Sequence, residues 1–116
     1  MISQRDLLLV PFPFSDQSGN KVRPVVVVSN DKFNRHSEDI IVAGVTSNIS
    51  KNKYSIILNK NDLEEGKLTD LCCVKVENLL KLDKALVIKK IGKINMSKFK
   101  SILVVLDNII KIRGSQ

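Results

Sequence analysis

The sequence predicts a mainly β domain of about six short strands closed by one C-terminal helix, and three observations predict it. Short β-branched runs such as Val25-Val26-Val27-Val28 and Ile40-Ile41-Val42-Ala43-Gly44-Val45 alternate with clusters of turn-forming residues. From Ser97 onward the apolar period changes to i, i+3, i+4, i+7. Finally, 116 residues with 43% hydrophobic and 27% charged side chains suit one core and exclude an intrinsically disordered chain. The whole of 1–116 therefore reads as a single domain.

The elements follow in order. Leu7–Val10 reads as a strand, and Pro11-Phe12-Pro13-Phe14 with Ser15–Asn20 as a long loop. Val25–Val28 is a continuous β-branched run, expected at the centre of a sheet covered on both faces. Asp31–Arg35 reads as a helical turn capped by Ser29, Asn30 or Asp31. The strand Ile40–Val45 ends where Thr46-Ser47-Asn48 turns polar. Strands are then expected at Tyr54–Leu58, Cys72–Val76 and Leu86–Ile88, with Asn59–Lys67 a polar loop. In the helix, Phe99, Ile102, Leu103, Leu106, Ile109 and Ile110 form the core-facing stripe, with Ser97 as N-cap and Gly114 just past the end. Val104, Val105 and Ile112 widen that stripe beyond the needs of one small sheet, which predicts self-association.

Charge and missing motifs narrow the function. The net charge of +7 resides in residues 81–116, which hold nine basic and two acidic side chains, and such an excess suits either a polyanionic partner or a solvated face. No apolar run approaches the ~18–20 residues of a membrane span, and Met1–Val10 carries Arg5 and Asp6 instead of a secretory core, so a cytoplasmic protein is expected. Cys72 and Cys73 are adjacent in a strand, point to opposite faces and are expected to stay reduced. Two vicinal cysteines and a single histidine, His36, do not make a zinc-finger spacing, so no metal is expected. The five glycines are scattered singly, which removes the Gly-rich phosphate loops.

Two stretches carry candidate chemistry. Arg23 stands at the entrance of the valine strand, where Pro24 restricts it to an extended backbone. Its guanidinium either makes an ordinary surface ion pair or grips two phosphate oxygens and stabilises an extra charge developing there. Thr46-Ser47 at the end of the next strand offers hydroxyls to a phosphate oxygen, or to the local backbone.

In their order and spacing, Asp6–Val10, Pro11–Asp16, Lys21–Ser29, Val45-Thr46-Ser47-Asn48, Val74-Lys75-Val76 and Leu82–Ile94 resemble the MazF/PemK-like toxins, ribonucleases of type II toxin–antitoxin systems. The resemblance implies a small SH3-like β-barrel with a C-terminal helix. It also implies a homodimer, a cognate antitoxin partner, and cleavage of single-stranded mRNA at short sequences without metal or cofactor. The ribose 2′-hydroxyl would attack the adjacent phosphate, leaving a 2′,3′-cyclic phosphate and a 5′-hydroxyl. By the same resemblance Arg23 and Thr46 are the catalytic pair, and Lys21, Ser47 and Asn48 meet the RNA. Phe12 and Phe14, in a loop that resembles the family's cover over the site, either stack on an unpaired base or cap the core.

Two departures stand out: Arg5 precedes Asp6 where the family usually has Gly, and Cys72 stands where it often has Ser. Two other readings remain open at this point. One is a gyrase-poisoning toxin of the same fold, although those relatives use a Trp-containing tail and this chain has no Trp. The other is a non-catalytic RNA-binding module.

Overall fold

A computed structural model of the chain describes residues 1–11, 21–49 and 52–113. It shows seven strands: β1 (Asp6–Pro11), β2 (Val22–Val27), β3 (Asp39–Thr46), β4 (Ser55–Leu58), β5 (Leu63–Gly66), β6 (Cys72–Asp83) and β7 (Lys89–Ile94). Helix α1 (Asp31–His36) joins β2 to β3, and α2 (Met96–Ile110) follows β7. The strands form one antiparallel sheet in the order β4-β6-β3-β2-β1-β7-β5, curled into a half-barrel. Among the described residues no helix is long and apolar enough to cross a membrane.

The valine run stands at the middle of that order, covered on both faces as expected. Val26 and Val28 join the core that contains Leu7, Val74, Ile94, Phe99 and Ile102, while Val25 and Val27 join a second core with Leu8, Val10, Ile40, Val42 and Leu82. Alternation along β2 therefore feeds two apolar layers, which is why no polar residue interrupts Val25–Val28. Of the three expected caps for α1, Asn30 is the one used: its side chain accepts from the Phe33 amide at 2.9 Å.

Four expectations need correction. The strand expected at Leu86–Ile88 is displaced: Lys84–Leu86 form a 3-10 turn capped by Asp83, and β7 begins at Lys89. The polar segment Asn59–Lys67 is not simply a loop, since it holds a 3-10 turn at Lys60–Asp62 and edge strand β5. The N-cap of α2 is Asn95, whose side chain accepts from the Lys98 amide at 2.8 Å, two residues before Ser97. Of the expected helix stripe only Phe99 and Ile102 are fully buried, with Val105 and Leu106 packed beside them. Leu103, Ile109 and Ile110 remain exposed. Gly114 lies outside the described residues.

The first departure from the family pattern has a backbone meaning. Arg5 adopts φ +80°, a left-handed conformation that glycine takes without strain. Its side chain offsets the cost: Nη1 donates to the Ile94 carbonyl at 2.9 Å and to Glu64 Oε1 at 3.0 Å, tying the start of β1 to β7 and β5. Beside it Asp6 is buried, accepts from the Ser3 amide at 2.8 Å, and faces Lys90 Nζ at 3.3 Å. Arg5→Ala keeps the strained backbone and loses both bonds, whereas Arg5→Gly loses the bonds and relaxes the strain. We expect the Gly variant to be the more stable of the two by about 1 kcal/mol in urea unfolding. Equal midpoints would show that the Arg5 backbone carries no strain.

Candidate active site

Arg23 and Thr46 converge through strand register. The β2–β3 ladder pairs Val27 with Val42, Val26 with Ala43 and Val25 with Gly44, and the same register carried two residues further sets Arg23 opposite Thr46. Because side chains alternate, Arg23 and Thr46 share the face of Val25 and Gly44. Both line one cavity of about 350 Å³ together with Ser47, Asn48, Lys75 and Asn78.

The floor of this cavity is set by an irregularity in β6. Gly44 pairs with Lys75 but its neighbour Ala43 pairs with Leu79, so three residues, Val76, Glu77 and Asn78, are extra on the β6 side. This bulge swings the Asn78 side chain over Gly44, where an added Cβ would stand 2.9 Å from Asn78 Nδ2. The absence of a side chain at Gly44 thus makes room for the Asn78 amide in the cavity lining. Lys75 and Asn78 were not among the sequence-predicted site residues. The one signal for Lys75 was a cation interrupting the buried run Cys72-Cys73-Val74 before Val76.

Thr46 ends β3 in a local turn in which its Oγ1 accepts from the Asn48 amide at 3.1 Å. The hydroxyl proton stays available to an incoming acceptor, since the turn uses only an oxygen lone pair. Beneath it Cys73, paired with Thr46 in the β3–β6 ladder, directs Sγ to the Asn48 carbonyl at 3.9 Å. Arg23, Ser47 and Asn48 are exposed and Thr46 and Lys75 half-buried, so the polar groups face solvent across an apolar base of Val25, Val45 and Leu80.

The remaining expectations divide. Lys21 is exposed one residue before β2 and does not line the cavity, and Phe12 and Phe14 lie outside the described residues. His36 is exposed at the end of α1, away from the cavity lining. Both cysteines are free and buried. Cys72 belongs to the apolar core, and burial pushes its thiol above the ordinary range, so it is protonated and unreactive at neutral pH.

With this geometry in view, likeness to known proteins becomes informative. A 31% identical relative, the endoribonuclease MazF of Staphylococcus epidermidis, aligns over 97% of this chain and 90% of its own length. Among solved structures, a mycobacterial endoribonuclease in complex with its cognate antitoxin superimposes with a TM-score of 0.79 at 17% identity, covering 99% of this chain and 100% of that one. The MazE–MazF structure (Form II) from Deinococcus radiodurans gives 0.74 at 14% identity, with 97% of each chain covered. The family model of PemK-like, MazF-like toxins of type II toxin–antitoxin systems matches residues 3–110, and the chain belongs to that family.

Proposed function

We propose that this chain is the toxin of a toxin–antitoxin pair and an endoribonuclease that cuts single-stranded RNA without a metal, at a phosphate held between Arg23 and Thr46. The observation that carries this reading is the single cavity in which Arg23, Thr46 and Lys75 meet. Among the described residues, none of the side chains lining it is a carboxylate or an imidazole. Rate enhancement there comes from alignment of the phosphate and stabilisation of its developing charge by Arg23, Thr46 and Lys75. The ribose 2′-hydroxyl gives up its proton to solvent and attacks the adjacent phosphorus, and the opposite P–O5′ bond breaks as the departing oxygen takes up a proton from solvent. Arg23 binds the phosphate oxygens as negative charge builds, with a planar fork matched to two of them. Thr46 donates its hydroxyl to a non-bridging oxygen, and Lys75 adds a second positive charge on the opposite wall. The products are a 2′,3′-cyclic phosphate and a 5′-hydroxyl.

Membership of a toxin–antitoxin family supports an antitoxin as protein partner. The exposed apolar side chains along α2, with Val104 at 61% and Ile110 at 67% exposure, support a homodimer. Incubating the protein with a long single-stranded RNA in excess chelator and mapping the new ends tests the reaction. We expect 5′-hydroxyl ends at a short recurring sequence; cuts that need magnesium, or that leave 5′-phosphates, would refute it. Thr46→Val should lower the single-turnover rate about tenfold while Thr46→Ser retains most of it, as loss of one neutral donor implies. Equal rates for Val and Ser would remove the hydroxyl from the mechanism.

A further inference from the structure

A second cavity, of about 540 Å³, opens where the C-terminal end of α2 faces the turn leading into β4. Lys53, Lys111 and Arg113 contribute three cations to its lining, Tyr54 an aromatic ring and Asn108 an amide, and among the described residues no carboxylate side chain lines it. Lys53 Nζ stands 5.2 Å from the centre of the Tyr54 ring. The cavity is a near neighbour of the first. Lys75, on the wall of the candidate active site, pairs directly with Ser55, and the Val76 amide donates to the Tyr54 carbonyl at 3.1 Å. Paired residues of adjacent strands stand only ~5 Å apart, but side chains alternate. Lys75 shares the Gly44 face of the first cavity and Tyr54, beside Val76, shares the α2 face, so the two cavities lie on opposite faces of the sheet at its edge strand β4.

We propose that this second cavity docks the sugar–phosphate backbone of the RNA strand after it leaves the Arg23–Thr46 site, passing Lys75 and bending round the sheet edge at the start of β4. The inference rests on the ribonuclease reading of the first cavity. Cations on both sides of an aromatic ring, with an amide for hydrogen bonding, are the elements with which single strands are held regardless of sequence. An acidic protein segment would answer the same charge. The short path from the first cavity round edge strand β4 favours the nucleic acid, because a flexible single strand held at Lys75 can bend over that edge to the second. The proposal also gives part of the basic excess of residues 81–116 a task, since Lys111 and Arg113 belong to it.

The test compares wild type with the Lys53→Gln, Lys111→Gln, Arg113→Gln triple variant, whose urea midpoint confirms folding. The probe is a labelled single strand, fully 2′-O-methylated against cleavage and long enough to span both cavities, titrated by fluorescence anisotropy at several salt concentrations. We expect the triple variant to bind about ten- to thirtyfold more weakly, with a log K against log salt slope shallower by about 2, since each phosphate contact contributes ~0.7 on a single strand. Cleavage of long RNA should lose kcat/KM mainly through KM, and cleavage of an oligonucleotide confined to the first cavity should fall far less. Unchanged affinity and slope would overturn the proposal. So would a variant that loses binding to a poly-glutamate peptide but keeps the RNA, an outcome assigning the cavity to an acidic protein segment. A wild type that binds the probe through these three cations yet cuts no RNA refutes the ribonuclease reading and leaves the docking site standing.

Discussion

Arg23→Ala should lower single-turnover cleavage of single-stranded RNA roughly 10²–10³-fold, the loss seen when a positioned donor to a developing oxyanion is removed. Stability should move by less than about 0.5 kcal/mol, because the side chain is exposed and belongs to neither apolar core. The two readouts together separate a group that meets the phosphate from one that supports the sheet. Arg23→Lys sharpens the distinction: it keeps the positive charge but loses the planar fork, so it should recover at most about a tenth of the wild-type rate. Full activity in the Lys variant would mean that charge alone suffices, and full activity in the Ala variant would end the assignment of this cavity. Pro24 bears on the same result. By holding Arg23 in extended backbone at the edge of the β2–β3 ladder, it limits the directions the guanidinium can take and reduces the entropy lost on gripping the phosphate.

Much of this architecture is legible in the sequence where one local rule governs. The unbroken β-branched run at Val25–Val28 announces a strand buried on both sides, and its central position follows. Elements made by long-range pairing are not legible. Strand β5 is Leu-Glu-Glu-Gly, a sequence with little strand preference of its own. It pairs because Lys90 reaches Glu65 at 3.1 Å, Arg5 reaches Glu64, and two glycines let the backbones close. A Cβ on Gly66 would fall 2.3 Å from the Ile91 carbonyl oxygen, and one on Gly92 would fall 2.8 Å from that of Glu65. The cap of α2 moves from Ser97 to Asn95 for a similar reason. Both residues are competent caps, but the Asn95 side chain also donates to the Asn61 carbonyl at 3.3 Å, and the Asn95 backbone N–H donates to the Asp62 carbonyl at 2.8 Å. At the site, Arg23 and Thr46 could be picked out by resemblance. Asn78 could not, since its place over Gly44 depends on a three-residue bulge that no local pattern marks.

Phe99→Ala tests the other half of the molecule, the attachment of α2 to the sheet. Phe99 is among the largest fully buried side chains and packs in the core that holds Val26, Val45 and Val74, one residue from Thr46 and one from Lys75. Truncation removes the helix's main anchor and leaves a cavity, at a cost of about 3–5 kcal/mol. That is a large share of the ~5–15 kcal/mol that stabilises a domain of this size, and it corresponds to a fall in Tm of roughly 10–25 °C. Val104, on the same helix but 61% exposed, is the comparison. In a monomer Val104→Ala should cost under about 0.5 kcal/mol. If α2 joins two copies of the chain, its cost becomes larger and depends on protein concentration, because dissociation is then coupled to unfolding. Phe99→Ala, by contrast, destabilises the chain at every concentration. Recording both variants at two protein concentrations therefore distinguishes the face of α2 that builds the fold from the face that builds an assembly, and a Phe99→Ala midpoint matching wild type would show that α2 is not fastened where the packing places it.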